Sequence, residues 1–174
     1  MPKQKGIYSV IPIVVHDHSS LAQGGWINWA GLGNSILKAH CRVYRDAIQN
    51  ISAATETTIE FNAESYNPSD IFDIANYRAN YTSGGKIWVA VKICVSSSAN
   101  NRQITLSIKN ASGLISNGLM PVASNVGIST IEFSDLVNIS GSGYLYITIL
   151  CSEALTIQAG ADRTFVVFRR WSNA

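Results

Sequence analysis

The hydrophobic positions of this chain alternate. Over residues 84–95, Ile87, Val89, Val91, Ile93 and Val95 fall at every second place, so in an extended backbone they share one face. Trp88, Ala90 and Cys94 share the opposite face with Lys86 and Lys92. One face is wholly apolar and the other half apolar, whereas an ordinary surface strand is polar on one side. The pattern predicts the central strand of a sandwich, its second face partly covered by a neighbouring sheet edge or subunit. Gly84 and Gly85 supply the turn into it.

Shorter alternating stretches follow the same rule. Residues 41–45 put Cys41 and Val43 on one side, and residues 57–61 pair Ile59 with Phe61. Residues 102–109 set Ile104, Leu106 and Ile108 against Gln103, Thr105, Ser107 and Lys109, a half-buried strand. Residues 144–151 place Leu145, Ile147 and Ile149 on one face and Tyr144 and Tyr146 on the other. Further strands are expected at 114–115, 127–133, 155–158 and 164–170. Residues 62–80, rich in Asn, Ser, Asp and Tyr, read as a long irregular section. No stretch carries a long helical period; residues 39–49 can be forced into a helix, but Val43, Tyr44 and Ile48 make no stripe. About ten short strands separated by turns predict an all-β antiparallel sandwich or jelly roll.

Residues 1–36 differ from the rest. An apolar run at 7–15 is followed by His16-Asp17-His18-Ser19-Ser20, then by glycine-broken sequence carrying Trp26 and Trp29. This part is too short to build its own core. It predicts an extended anchoring or linker segment ahead of a domain at 37–174. Trp26 and Trp29 either anchor it to another protein or pack on the base of the domain. The opening residues imitate a signal peptide, but Pro12 breaks the run and polar residues stand where a cleavage site is needed. No apolar run is long enough to span a bilayer.

Composition narrows the function. Charged residues are 14% of the chain, about half the usual share, with Ser, Thr, Asn and Gly in their place. That suits a rigid particle component. The net charge of +2 is too small and too scattered for a nucleic-acid footprint. The cysteines, Cys41, Cys94 and Cys151, lie in expected strands without metal-site spacing and read as buried thiols. No nucleophile elbow, phosphate loop or zinc-protease motif occurs. Asp70 with Asp73, or Glu60 with Glu64, could be paired as glycosidase carboxylates; ordinary surface carboxylates are the commoner explanation. The protein is expected not to be an enzyme.

The order of residues from Cys41 onward resembles the globular heads of the first complement component and of tumour necrosis factor, in the form found on phage and viral virion proteins. The resemblance is carried by Cys-Arg-Val-Tyr-Arg at 41–45, Gln-Asn-Ile-Ser at 49–52, Thr-Thr-Ile-Glu-Phe-Asn at 57–62 and Phe72-Asp73. It continues with Gly-Lys-Ile-Trp-Val at 85–89, Gly-Tyr-Leu-Tyr at 143–146 and Thr-Phe-Val-Val-Phe-Arg at 164–169. Trp88 stands where the family writes tyrosine. The resemblance implies a jelly roll of roughly ten strands that assembles as a homotrimer, with Trp88, Tyr144 and Tyr146 covered by a neighbouring subunit.

The segment at 16–25 also resembles linkers of phage tail fibres. Some trimeric fibres bind iron on the axis through a His-x-His pair, which makes His16 and His18 candidate ligands for one iron or other transition-metal ion per trimer. Residues i and i+2 of an extended chain face the same way, so three chains offer six imidazoles. The alternative is an exposed turn with two incidental histidines. These resemblances imply a protein of the virion, made in the host cytoplasm. It acts as a short fibre, spike or tail-tip head that touches a glycan or protein of the host surface. Loops at 66–81 and 96–101, with Tyr66, Phe72 and Tyr77, would make the contacts. The alternative is a capsid decoration or head-fibre protein clamped to capsid, tail or baseplate through residues 1–36, and the third is an enzyme acting on surface glycans.

Overall fold

A computed structural model describes residues 40–68, 70–97, 102–122 and 127–173. Among these residues there is no helix. The thirteen strands are, in chain order, β1 (His40–Tyr44), β2 (Gln49–Ile51), β3 (Thr57–Thr58), β4 (Ala63–Tyr66), β5 (Phe72–Asp73), β6 (Arg78–Tyr81), β7 (Gly85–Ser97), β8 (Arg102–Asn110), β9 (Gly113–Val122), β10 (Gly127–Ile139), β11 (Gly143–Cys151), β12 (Leu155–Ile157) and β13 (Phe165–Asn173). They form two antiparallel sheets. The larger runs β2-β12-β7-β13-β1-β4 with β10 on the other side of β7, and the smaller runs β5-β6-β11-β8-β9 with β3 on β11.

β7 is the central strand that its alternation predicts. It pairs with β10 along its whole length, from Ser97 opposite Gly127 to Gly85 opposite Ile139. Its other edge is shared by β13 and β12. Its inward residues Ile87, Val89, Val91, Ile93 and Val95 are all buried. They share one core with Ile104, Leu106 and Ile108 of β8 and with Leu145, Ile147 and Ile149 of β11. Each such side chain contributes about 1.5–3 kcal/mol when taken from water. Cys41, Cys94 and Cys151 are buried free thiols in β1, β7 and β11, as expected.

Local chemistry fixes the entries and corners. Gly85 has a φ of 146°, a conformation other residues rarely adopt, and a Cβ on Gly84 would lie 2.7 Å from the Ile139 carbonyl oxygen. Arg45 is buried, and its guanidinium donates to the carbonyls of Ala47 at 2.8 Å, Ile48 at 3.1 Å and Glu60. Gln49, also buried, donates to the Thr58 carbonyl at 2.8 Å and accepts from the Glu60 N–H at 3.1 Å. These two side chains satisfy backbone groups that no neighbouring strand reaches.

The structure differs from the sequence expectation in several places. The section at 62–80, read as irregular, contains β4, β5 and β6. Strands of two to four residues are too short for alternation to reveal. β9, expected only at 114–115, runs to Val122, and β10, expected to end at 133, runs to Ile139. Phe72, expected in a contact loop, lies in the core at 2% exposure, its ring 6.0 Å from that of Phe168, so it is no surface contact. Residues 1–36, with His16, His18, Trp26 and Trp29, lie outside the described residues.

Candidate functional site

The outer face of the larger sheet is read row by row across β1, β13, β7 and β10. His40 faces Arg169, Arg169 faces Trp88, and Trp88 faces Leu136. In the next row Arg42 faces Val167, which faces Ala90, which faces Ser134. In the third, Tyr44 faces Phe165, which faces Lys92, which faces Glu132. The small side chains of Ala90 and Ser134 lie between larger ones, and this makes a trough. A groove of about 410 Å³ results, lined by Trp88, Ala90, Lys92, Ser134, Phe165 and Val167 among others. Its apolar wall is Trp88, Phe165 and Val167, and an ion pair of 3.5 Å between Lys92 and Glu132 lies at one end. Trp88 remains 36% exposed and Leu136 45%. The Arg42 guanidinium caps the Phe165 ring at 4.2 Å and donates to the Ala161 carbonyl at 2.7 Å.

Tyr144 and Tyr146 lie on the other sheet. They alternate with buried Leu145 and Ile147 on β11, so both face away from the core. Their ring centroids are 6.0 Å apart at 42°. Arg78 stacks over Tyr144 at 4.4 Å, and its Nε lies 3.7 Å from the Asp73 carboxylate. Asn80 is opposite Tyr144, and Lys109 is opposite Tyr146. Lys109 donates to Glu56 at 2.5 Å, and the Thr148 hydroxyl donates to the same carboxylate at 2.7 Å. The three aromatics expected at one interface therefore stand on the outer faces of two different sheets.

Of the expected contact loop, Tyr66 sits on β4 with its ring 4.9 Å from that of His40, and burial raises its phenol pKa. Tyr77 takes a φ of 55° in the turn before β6. Tyr66 edges the larger sheet, whereas Tyr77 leads into the smaller one. Beside residues 96–97, a cleft of about 660 Å³ is lined by Asn50, Ser52, Ser96, Ser97 and Thr156 among others, uncharged hydrogen-bonding groups. Residues 98–101 of the second expected loop lie outside the described residues.

Three of the four candidate carboxylates, Asp73, Glu60 and Glu64, are engaged structurally. Hydrogen bonds from Asn76 hold the Asp73 carboxyl below its ordinary pKa, the opposite of what a general acid needs. Glu60 pairs with Arg45 at 3.4 Å, and Glu64 accepts from the Asn67 amide at 2.9 Å. Among the described residues no three His, Cys, Asp or Glu side chains converge to hold a metal ion. The sequence reading missed the part of Val167, Phe165 and Ser134 in the groove. They are brought to β7 by pairing between strands distant in the chain, and no local pattern announces that.

No family model matches this sequence, and no curated protein sequence matches it. Solved structures do. The tumour necrosis factor Eiger of S. frugiperda superposes with a TM-score of 0.62 at 9% identity, covering 78% of this chain and 93% of that one. The globular domain of the zebrafish complement 1qA protein gives 0.53 at 10% identity, covering 78% and 99%. Murine APRIL gives 0.54 at 7% identity, covering 75% and 98%. At such identities each likeness is one of fold: the chain is an all-β jelly roll of the tumour-necrosis-factor and complement-head type.

Proposed function

We propose that the chain is a non-catalytic binding head that works as a ring of three copies joined through the outer face of the larger sheet. We further propose that it serves on a phage or virus particle as a short fibre, spike or tail-tip head in contact with the host surface. The observation that carries the assembly is the groove. It sets Trp88, Phe165 and Val167 around a 410 Å³ trough on a sheet face that a lone molecule leaves in water. A cyclic ring joins two different surfaces of the same chain. Beside the groove, the edge strand β10 carries Ile128 at 63% and Leu136 at 45% exposure, an apolar surface suited to the opposite side of the contact. The virion setting is supported by the sequence resemblance, with residues 1–36 as the attachment to capsid, tail or baseplate.

Native mass spectrometry of the purified protein tests the assembly. A trimer is expected, shifting to monomer in Trp88→Glu and Val167→Asp; a monomer of the parent at micromolar concentration overturns it. The same measurement with a chelator reports whether His16 and His18 hold an iron or other transition-metal ion. Particles lacking the protein should fail to adsorb to the host. Particles that adsorb normally but lose shell stability would assign it to capsid decoration instead.

A further inference from the structure

We infer that the outer face of the smaller sheet is a platform for a neutral polysaccharide, with the Tyr146 ring and the planar Arg78 guanidinium that caps Tyr144 as its stacking surface. This deepens the host-contact reading above. The site lies within one copy of the chain, so it stands or falls separately from the trimer. The two tyrosine rings lie side by side on β11, their centroids 6.0 Å apart and their planes at 42°, with the buried Leu145 and Ile147 behind them. A pyranose ring presents a flat C–H face that suits an aromatic ring, and its hydroxyls present donor–acceptor pairs along the rim. The platform's rim matches. The Asn80 amide lies opposite Tyr144 and is exposed, and the Arg78 guanidinium and Asp73 carboxylate lie beside it. Lys109, Glu56 and Thr148 flank Tyr146. The side-chain amide of Asn80 is exposed and offers both a donor and an acceptor.

Charge selects the class of ligand. Arg78 is compensated by Asp73 at 3.7 Å and Lys109 by Glu56 at 2.5 Å. A surface whose cations are matched one for one neither steers nor holds a phosphate or sulfate polymer, whereas planar, paired polar groups suit hydroxyls. The cleft beside Ser96 has the hydroxyls but no aromatic ring, and the groove on the other sheet has rings but faces a second copy.

The test is native gel electrophoresis of the full chain through gels containing dextran, yeast mannan or galactan, with dextran sulfate as the charged control. Retardation by at least one neutral polymer is expected. The double variant Tyr144→Ala/Tyr146→Ala should bind about tenfold or more weakly, while Tyr66→Ala binds as the parent. Because Tyr144 carries Arg78, the double variant is checked by thermal unfolding. If it unfolds, Asn80→Ala, which removes only an exposed amide, replaces it, with binding about fivefold weaker expected. No retardation by any neutral polymer overturns the inference. So does retardation by dextran sulfate alone, or retardation unchanged in the folded variant.

Discussion

Phe133 lies directly on Gly118: a Cβ built on that glycine would be 2.7 Å from the ring's Cδ2 and 3.0 Å from its Cε2. This contact joins β10 of the larger sheet to β9 of the smaller, so it closes one side of the sandwich. Ser116 and Asp135 hydrogen-bond across the same seam. Gly118→Ala should therefore destabilise the fold by about 1–3 kcal/mol through overpacking. Urea unfolding checks this, and Gly118→Ala/Phe133→Leu should recover part of the loss.

Arg45 holds three main-chain carbonyls with a side chain that is 5% exposed, while its ion-pair partner Glu60 is 45% exposed. The carbonyls, not the carboxylate, carry the stabilisation. Arg45→Ala should cost about 3 kcal/mol by leaving buried acceptors unmade. Glu60→Gln should cost no more than about 0.5 kcal/mol, as surface pairs do. Equal losses in chemical unfolding would reverse that assignment.

Glu56 sets part of the acid limit. The hydrogen bond from Lys109, and then that from Thr148, hold its carboxyl below the ordinary 4.5. A folded-state pKa below the unfolded one means that the contribution is complete above about 4.5 and is lost as pH falls through the lowered value. Glu56→Gln should be less stable than the parent at pH 7 and lose less on acidification. Asp73, lowered mainly by Asn76, should retain its own share of the acid response. Denaturant midpoints measured from pH 7 to pH 3 report both.

Burial pushes the Cys41 thiol up to about 12, and Cys94 and Cys151 are buried as well. The thiolate is the reactive form. The native protein at pH 8 should therefore resist a disulfide reagent, and three thiols should react once guanidinium unfolds it. Reaction of a thiol in the native state would show that its strand opens locally.

What the sequence disclosed followed from how locally each feature is written. β7 and β11 were legible because their alternation spans the whole strand and both have one buried face. β9 was not legible beyond Leu114-Ile115, because Asn117, Gly118 and Pro121 interrupt the apolar alternation. The strand persists because it is an edge, where a missing N–H is tolerated, and because β8 pairs with it from Arg102 to Asn110. Trp88 was legible as an aromatic on an outward face, whereas Val167, Ala90 and Ser134 come together only through pairing across three strands. Phe72 was misplaced because polar neighbours suggested a loop, yet β5 turns that one ring inward. The tyrosine pair was found by its spacing on β11, but which sheet faces which surroundings is a property of the closed sandwich.

The position of β13 has a consequence for how the molecule comes into being. It is the last strand of the chain order, yet it is seated between β7 and β1, with β1 pairing to it from His40 opposite Arg169. Until its residues leave the ribosome, β7 and β1 have an open lane between them, and their apolar faces wait uncovered. The contacts that finish the larger sheet are thus among the most distant in sequence, which slows folding and lengthens exposure to aggregation. Nascent chains halted before residue 165 should need chaperone shelter that the finished protein does not.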